Sequence, residues 1–377
     1  MKKIILLTVA SALVGFNIWL YATGKTFFYK AVIYNYVNID DYEIFDNRTI
    51  RKSSGPQPWL RSATNKVDLT PKLDSVLTSL ESVAFTVIKD KEILQEHYWD
   101  GYAVNSMSNT FSAAKSYVSA LIGIAYKEGL IKSIEDPVGN YLESFKTDGK
   151  EKIRILDLLK MSSGLYWEET YSGPFSMTTE SYYGQDLDGL INRLKVAKSP
   201  GKSFKYSGAD TQILAMILSS VTKMTLSEYA QKKLWEPLGF EYDALWSLDK
   251  EEGVEKAYCC INSNATDLAR LGRLYNHRGN WNGHQIINVR YVDASINPAQ
   301  YAEGSCNYYG FMWWLYDKIP GKKVFYARGI LGQYIICIPS EDLVIVRLGH
   351  KRSKKSASIH PDEVEIYIEE ILKMHSK

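Results

Sequence analysis

An α+β fold is what this 377-residue chain predicts, on three observations. Strand-like stretches gather at the two ends of the globular part: 83–88 and 92–99 early, then 310–316, 323–327, 333–338 and 343–348 late. The intervening two hundred or so residues carry helical apolar spacing instead. Strands so far apart in the chain can share a sheet only if the middle of the chain forms something else. The expected architecture is an antiparallel sheet flanked by helices, an all-helical lobe beside it and a cleft between the two.

Composition narrows the class of protein. The apolar content of 45% supports a real core, and 45 basic against 43 acidic residues leave no polyanion partner to expect, so nucleic acid is excluded. The 27 tyrosines and 9 tryptophans suit an aromatic-lined cleft or a tightly packed core. Four cysteines (Cys259, Cys260, Cys306, Cys337) show no metal-ligand spacing. Cys337, inside Tyr334-Ile335-Ile336-Cys337-Ile338, reads as a buried small hydrophobe. A bridge from Cys259 or Cys260 to Cys306 is left open.

In chain order, Met1-Lys2-Lys3 precedes an apolar run of nineteen residues, 4–22, close to the ~20 residues that span a bilayer. That exceeds the apolar core of a cleaved signal, and no clean A-x-A site follows. An uncleaved signal-anchor is the first reading of residues 1–24, a cleaved signal peptide the second and a terminal core helix the third. Lys2 and Lys3 would keep the N-terminus in the cytoplasm, leaving the rest of the chain exported: anchored in the cytoplasmic membrane, with its domain in the periplasm or outside. Residues 25–75 form an irregular extension, broken at Ser53-Ser54-Gly55-Pro56, and residues 76–377 the main domain. A first helix is expected at 71–80. Lys89-Asp90-Lys91 then turns strand 83–88 into strand 92–99 as an antiparallel hairpin.

After the hairpin come a helix over 116–130, a short one over 153–161 ended by Ser162-Ser163-Gly164, and further helices at 210–221, 227–234 and 266–276, the last opened by Asn264. Residues 167–184 lack periodicity and carry Tyr171, Phe175, Tyr182 and Tyr183, which fits a lid or wall as well as a surface loop. Pro339-Ser340-Glu341-Asp342 turns between the last two strands, and an amphipathic helix over 361–375 closes the chain.

Chemistry concentrates at Thr110-Phe111-Ser112-Ala113-Ala114-Lys115, which opens the long apolar helix. A serine and a lysine three residues apart lie on one helix face, where the amine can serve the hydroxyl as base. Spacing alone is weak, since Ser199/Lys202, Ser220/Lys223 and Ser247/Lys250 share it. Only Ser112 stands before a helix apolar on all sides, and its company downstream raises it further. No Gly-x-Ser-x-Gly, His-Glu-x-x-His, Cys-x-x-Cys or Gly-x-x-x-x-Gly-Lys is present, so neither an α/β-hydrolase triad nor a metal or nucleotide cofactor is implied.

That company is Leu158-Leu-Lys-Met-Ser-Ser-Gly-Leu165, Pro200-Gly-Lys-Ser-Phe-Lys-Tyr206-Ser207-Gly208, Trp235-Glu-Pro-Leu-Gly239 and Gly329-Ile330-Leu331-Gly332-Gln333. In this order the stretches resemble the penicillin-recognising serine hydrolases, and within them the β-lactamase-related esterases and 6-aminohexanoate-dimer hydrolases. The resemblance runs from about residue 75 to the end and implies a β-lactamase/transpeptidase-like fold. It also implies Ser112 as nucleophile, Lys115 as the cation that relays the proton, and Tyr206 as base. The backbone N–H groups of Ser112 and Ile330 would hold the oxyanion, and Tyr171, Ser207, Gly208 and Gly329 would line the substrate site.

Two departures shape the expected substrate. Gly208 stands where Tyr-x-Asn has its asparagine, and Ala327-Arg328-Gly329 replaces Lys/His-Thr/Ser-Gly. Arg328, one position along a strand, should point to the opposite face. β-Lactam and D-Ala-D-Ala recognition lose their usual contacts, so an ester or linear amide cleaved through an acyl-enzyme is the leading expectation. A D-amino peptidase or β-lactamase of the same fold is the alternative, and a catalytically silent ligand-binding sensor a further one. The expected partners are a small ester or amide and, through the N-terminal segment, a membrane.

Overall fold

The computed structural model describes residues 1–62, 67–171, 173–354 and 358–375. Its main sheet has seven strands, in the order Trp314–Tyr316, Val324–Gly329, Gln333–Ile338, Leu343–Gly349, Ser82–Lys89, Glu92–Tyr98 and Leu60–Arg61. The two chain ends meet where Leu343–Gly349 pairs antiparallel with Ser82–Lys89, Ile345 opposite Val87. Both strands are almost wholly buried, because the sheet is covered on both faces. One face takes the closing helix Asp362–His375, whose Tyr367 ring lies 5.7 Å from Phe85 and 6.4 Å from Tyr334. The other takes the helix Ala265–Asn276, capped by Asn264 as expected, its side chain accepting from the Asp267 N–H.

The helix Ala114–Lys127 runs through the middle and is buried from Ala114 to Ala125. Its own small residues allow this. A Cβ at Gly123 would sit 2.6 Å from the Tyr291 ring, so glycine lets that tyrosine lie across the helix. Ser116 and Ser119 donate to the carbonyls of Met312 and Phe311. Those bonds explain a difference from expectation. Residues 310–316 read as one strand, yet only Trp314–Tyr316 pairs in the sheet. Gly310 to Met312 curls back on the central helix instead, with Met312 at a φ of +63°.

Residues 167–184, read as aperiodic, end in a real helix, Met177–Tyr183, whose Ser176 cap accepts from the Thr179 N–H. Residue 172 lies outside the described residues, as do 63–66 of the expected extension. The rest of that extension is built into the fold. Asn47–Ile50 pairs with Ala244–Ser247 in a second sheet, continued by Ile261–Ser263 and Ser108–Asn109. Cys259 and Cys260 are bonded to each other, not to Cys306, which is free and buried like Cys337.

At the N-terminus, the 21-residue apolar helix Lys2–Ala22 has Leu20 as its one buried residue. A second, short helix, Phe27–Tyr34, follows and rests on Met177–Tyr183, with Tyr34 stacked 6.2 Å from Tyr183.

Candidate active site

The second sheet delivers the serine. Its strand Ser108–Asn109 ends as Thr110 donates to the Ile261 carbonyl at 2.8 Å, and Phe111 is then forced to a φ of +45°. The buried Phe111 ring and the bond from its N–H to Asn109 Oδ1 hold that strained turn. Ser112 follows in a 3₁₀ turn leading into the central helix. One turn on, Lys115 Nζ donates to Ser112 Oγ at 3.0 Å and to the Tyr258 carbonyl at 2.7 Å. Lys115 is 1% exposed, and no carboxylate among the described residues lies within ion-pair distance of it. Beyond its two hydrogen bonds it is flanked instead by the rings of Tyr206, 5.1 Å from Nζ to the centroid, and Tyr258, 5.7 Å. Such faces attract a cation without neutralising it.

Tyr206 comes from the segment before the helix Gly208–Thr222. The amine of Lys205 is tied outward to the Trp167 carbonyl at 2.8 Å, so the next side chain turns the other way, toward Lys115. The Tyr206 ring is held by Trp314 at 5.6 Å and Tyr309 at 6.1 Å. Burial raises the phenols of Tyr258 and Tyr309 above their usual range, so both stay neutral around it.

The third side of the site is the strand end Gly329 and the turn Ile330–Gly332. A Cβ at Gly329 would meet the Thr110 carbonyl oxygen at 2.2 Å. Glycine therefore lets the strand touch the serine turn, and Ile330 shares a cavity wall with Ser112. Arg328 pairs with Tyr334 in register and shares its side of the strand with Tyr326, but that side reaches Trp314, the ring that holds Tyr206. It stacks 3.6 Å over Trp314 and donates to the Ile359 carbonyl.

The cavity holds about 470 Å³. Ser112, Phe111 and Ile330 line it together with Trp167, Tyr171, Tyr182, Tyr183 and Tyr258 and with Ala31, Val32 and Val37. Of the expected substrate residues, Tyr171 lines it, its hydroxyl donating to Glu169 Oε1 at 2.5 Å. Gly208 lies one layer behind, giving its N–H to Glu169 Oε2 at 3.0 Å, and a Cβ there would pack on Tyr258 and Trp167. Ser207 is buried at the start of its helix, and Gly329 serves the approach of strand to turn.

Sequence reasoning passed over three participants. Glu169 lines the cavity and gathers Trp167 Nε1, Tyr171 and the Gly208 N–H. Its place next to an aromatic cluster in an aperiodic segment was the available signal. Tyr258, whose carbonyl holds Lys115, had none, because any residue type offers a carbonyl. The wall from residues 31–37 had none either, since it precedes every motif.

A seven-stranded sheet, antiparallel except for its edge strand Leu60–Arg61, with a helical lobe and a serine-lysine helix between them, is the β-lactamase/transpeptidase-like class of α+β fold. The chain belongs to the beta-lactamase family, whose model matches residues 73–366. It is 26% identical over 309 residues to the 6-aminohexanoate-dimer hydrolase of Paenarthrobacter ureafaciens, covering 76% of each chain. A solved Bacillus anthracis protein, provisionally named a 6-aminohexanoate-dimer hydrolase, superposes with a TM-score of 0.76 at 20% identity, covering 89% of this chain and 92% of that one. A family VIII carboxylesterase superposes at 0.62 and 15% identity, covering 81% and 98%. At those identities the two structures speak for the fold. Hydrolases acting on amides and esters are thus the company this chain keeps.

Proposed function

We propose that the protein is a serine hydrolase that cleaves an ester or a linear amide through an acyl-enzyme on Ser112. The observation that carries this reading is the buried Lys115 amine 3.0 Å from Ser112 Oγ, with the Tyr206 ring over the same amine. Ser112 Oγ attacks the carbonyl carbon, and its proton passes to the Lys115–Tyr206 pair. The oxyanion is met by the N–H groups of Ser112 and Ile330, a role supported by both residues lining the same cavity. The carbonyl–heteroatom bond breaks and the leaving group takes the proton. Water then attacks the acyl-serine, giving its proton to Tyr206 as the Ser112 hydroxyl reforms.

Gly208 and Ala327, where the peptidase and β-lactamase branch carries an asparagine and a basic residue, favour the ester and linear-amide branch. Residues 76–377 carry the hydrolase motifs, and the preceding extension adds a strand to each of the two sheets around them. The Lys2–Ala22 helix acts as an uncleaved anchor, which its exposed apolar surface supports. A Cys259–Cys260 bond suits the oxidising side of a membrane.

Hydrolysis of p-nitrophenyl acetate tests the reading. Ser112→Ala should lower it by about 10³-fold or more and abolish labelling by a fluorophosphonate probe. Full residual turnover in that variant would mean another nucleophile.

A further inference from the structure

The wall of the cavity that no motif foretold says what the carbonyl is attached to. Ala31, Val32 and Val37 bring apolar surface to within one cavity of Ser112. They belong to the Phe27–Tyr34 helix and the residues just after it, and four residues separate that helix from Lys2–Ala22. At 1.5 Å per residue the N-terminal helix is about 30 Å long, the thickness of a bilayer's hydrocarbon. Its last turn and the short helix after it are both tied to Phe175. Trp19 lies 5.7 Å from Phe175, Phe28 stacks on Phe175 at 4.9 Å, and the Lys25 amine sits 4.9 Å over the Trp19 ring. Tryptophan and lysine at such a helix end mark the headgroup level.

Around this hinge the surface stays apolar. Ile33 is 73% exposed, Tyr36 82% and Val32 58%, and none has a reason to face water. With the helix in a bilayer these side chains meet the lipid boundary, and one of them, Val32, also lines the cavity that holds Ser112.

Resting on the hydrolase reading above, we propose that the substrate is a bilayer-borne amphiphile. Its ester or amide carbonyl reaches Ser112, and its single long acyl chain lies between the 31–37 segment and the Tyr171–Tyr183 wall. Cleavage leaves the chain on Ser112 as the acyl group and releases the head as an alcohol or amine, and water frees the fatty acid. The recognition is by apolar length, so Gly208 and Ala327, which hold no polar handle, cost nothing in this site.

The test uses the full-length protein reconstituted in phosphatidylcholine vesicles. Across p-nitrophenyl esters from acetate to octanoate, kcat/KM should climb by about 3–4-fold per added methylene until the cavity is filled. Val32→Asp should flatten that ratio. 4-Methylumbelliferyl palmitate placed in the same vesicles as the protein should be cut at least about tenfold faster than palmitate ester in separate vesicles. A flat or falling chain-length profile overturns the proposal while acetate turnover leaves the hydrolase reading standing. Equal rates from the same and separate vesicles overturn the bilayer as source. If no ester is cut and Ser112 takes no fluorophosphonate, the hydrolase reading falls and this proposal with it.

Discussion

Asp210 lies fully buried beside Ser163, where a carboxylate is hard to keep. It accepts from Ser163 Oγ at 2.6 Å, and Ser163 in turn ends the loop that carries Trp167 and Glu169. Burial outweighs those hydrogen bonds and pushes the carboxyl up to about 7. The unfolded chain would release the same proton near pH 4. Between about pH 4 and 7 the folded state therefore binds a proton that the unfolded state has lost, and stability falls as pH rises. Above 7 both states have lost it and the slope ends. This group should contribute a decline of up to about 1.4 kcal/mol per pH unit within that window. Urea unfolding of Asp210→Asn at pH 5, 6, 7 and 8 should show the decline removed, because an amide still accepts from Ser163. An unchanged pH profile would place the titration elsewhere. The residue was legible as part of a helix, but not as a titrating group, since nothing in Gly208-Ala209-Asp210 says which turn will bury it.

At the scale of elements, the turn Ile330–Gly332 shows how an exposed-looking motif is held from behind. Leu331 sits at a φ of +60°, which an unsupported leucine would leave. Arg347, fully buried on the neighbouring strand, fixes it: Nη1 donates to the carbonyls of Leu331 at 3.0 Å and Gly332 at 2.9 Å. The same guanidinium reaches the Lys351 carbonyl at 2.8 Å and, through Nε, Ser82 Oγ at 2.9 Å. A planar fork can hold several carbonyls at once where an ammonium cannot. On the mechanism proposed above, Arg347 is a positioning residue for the Ile330 N–H, acting through the turn it holds. Arg347→Lys should lower kcat for p-nitrophenyl acetate by about 10²-fold while moving KM much less, because an oxyanion donor is needed only in the transition state. A fall in stability with kcat and KM both unchanged would make its role structural alone. Steady-state kinetics beside a thermal melt separates the two.

At the scale of the whole molecule, what the sequence disclosed followed from periodicity and length. The strands 82–89, 333–338 and 343–349 and the helices 114–127, 208–222 and 265–276 are long enough for their apolar spacing to emerge, so a sheet joining distant ends was legible. The second sheet was not, because its strands run two to four residues, too short for alternation to count. Nor was the cavity lining at 31–37, where tertiary placement alone brings a segment without a motif to the cavity. That lining ties the site to the N-terminal helix, and orientation becomes the decisive property. Lys2 and Lys3 precede the helix, and basic residues stay on the cytoplasmic side. The cleft should then face outward. A membrane-impermeant fluorophosphonate should label Ser112 in intact cells, and the protein should remain in the membrane pellet after carbonate washing. Changing Lys2→Glu and Lys3→Glu together should reduce the labelling in intact cells more than in lysed ones, since the bias that sets orientation is gone. Labelling that requires lysis from the start would put the cleft on the cytoplasmic side, and release by carbonate would mean that the helix does not span the bilayer.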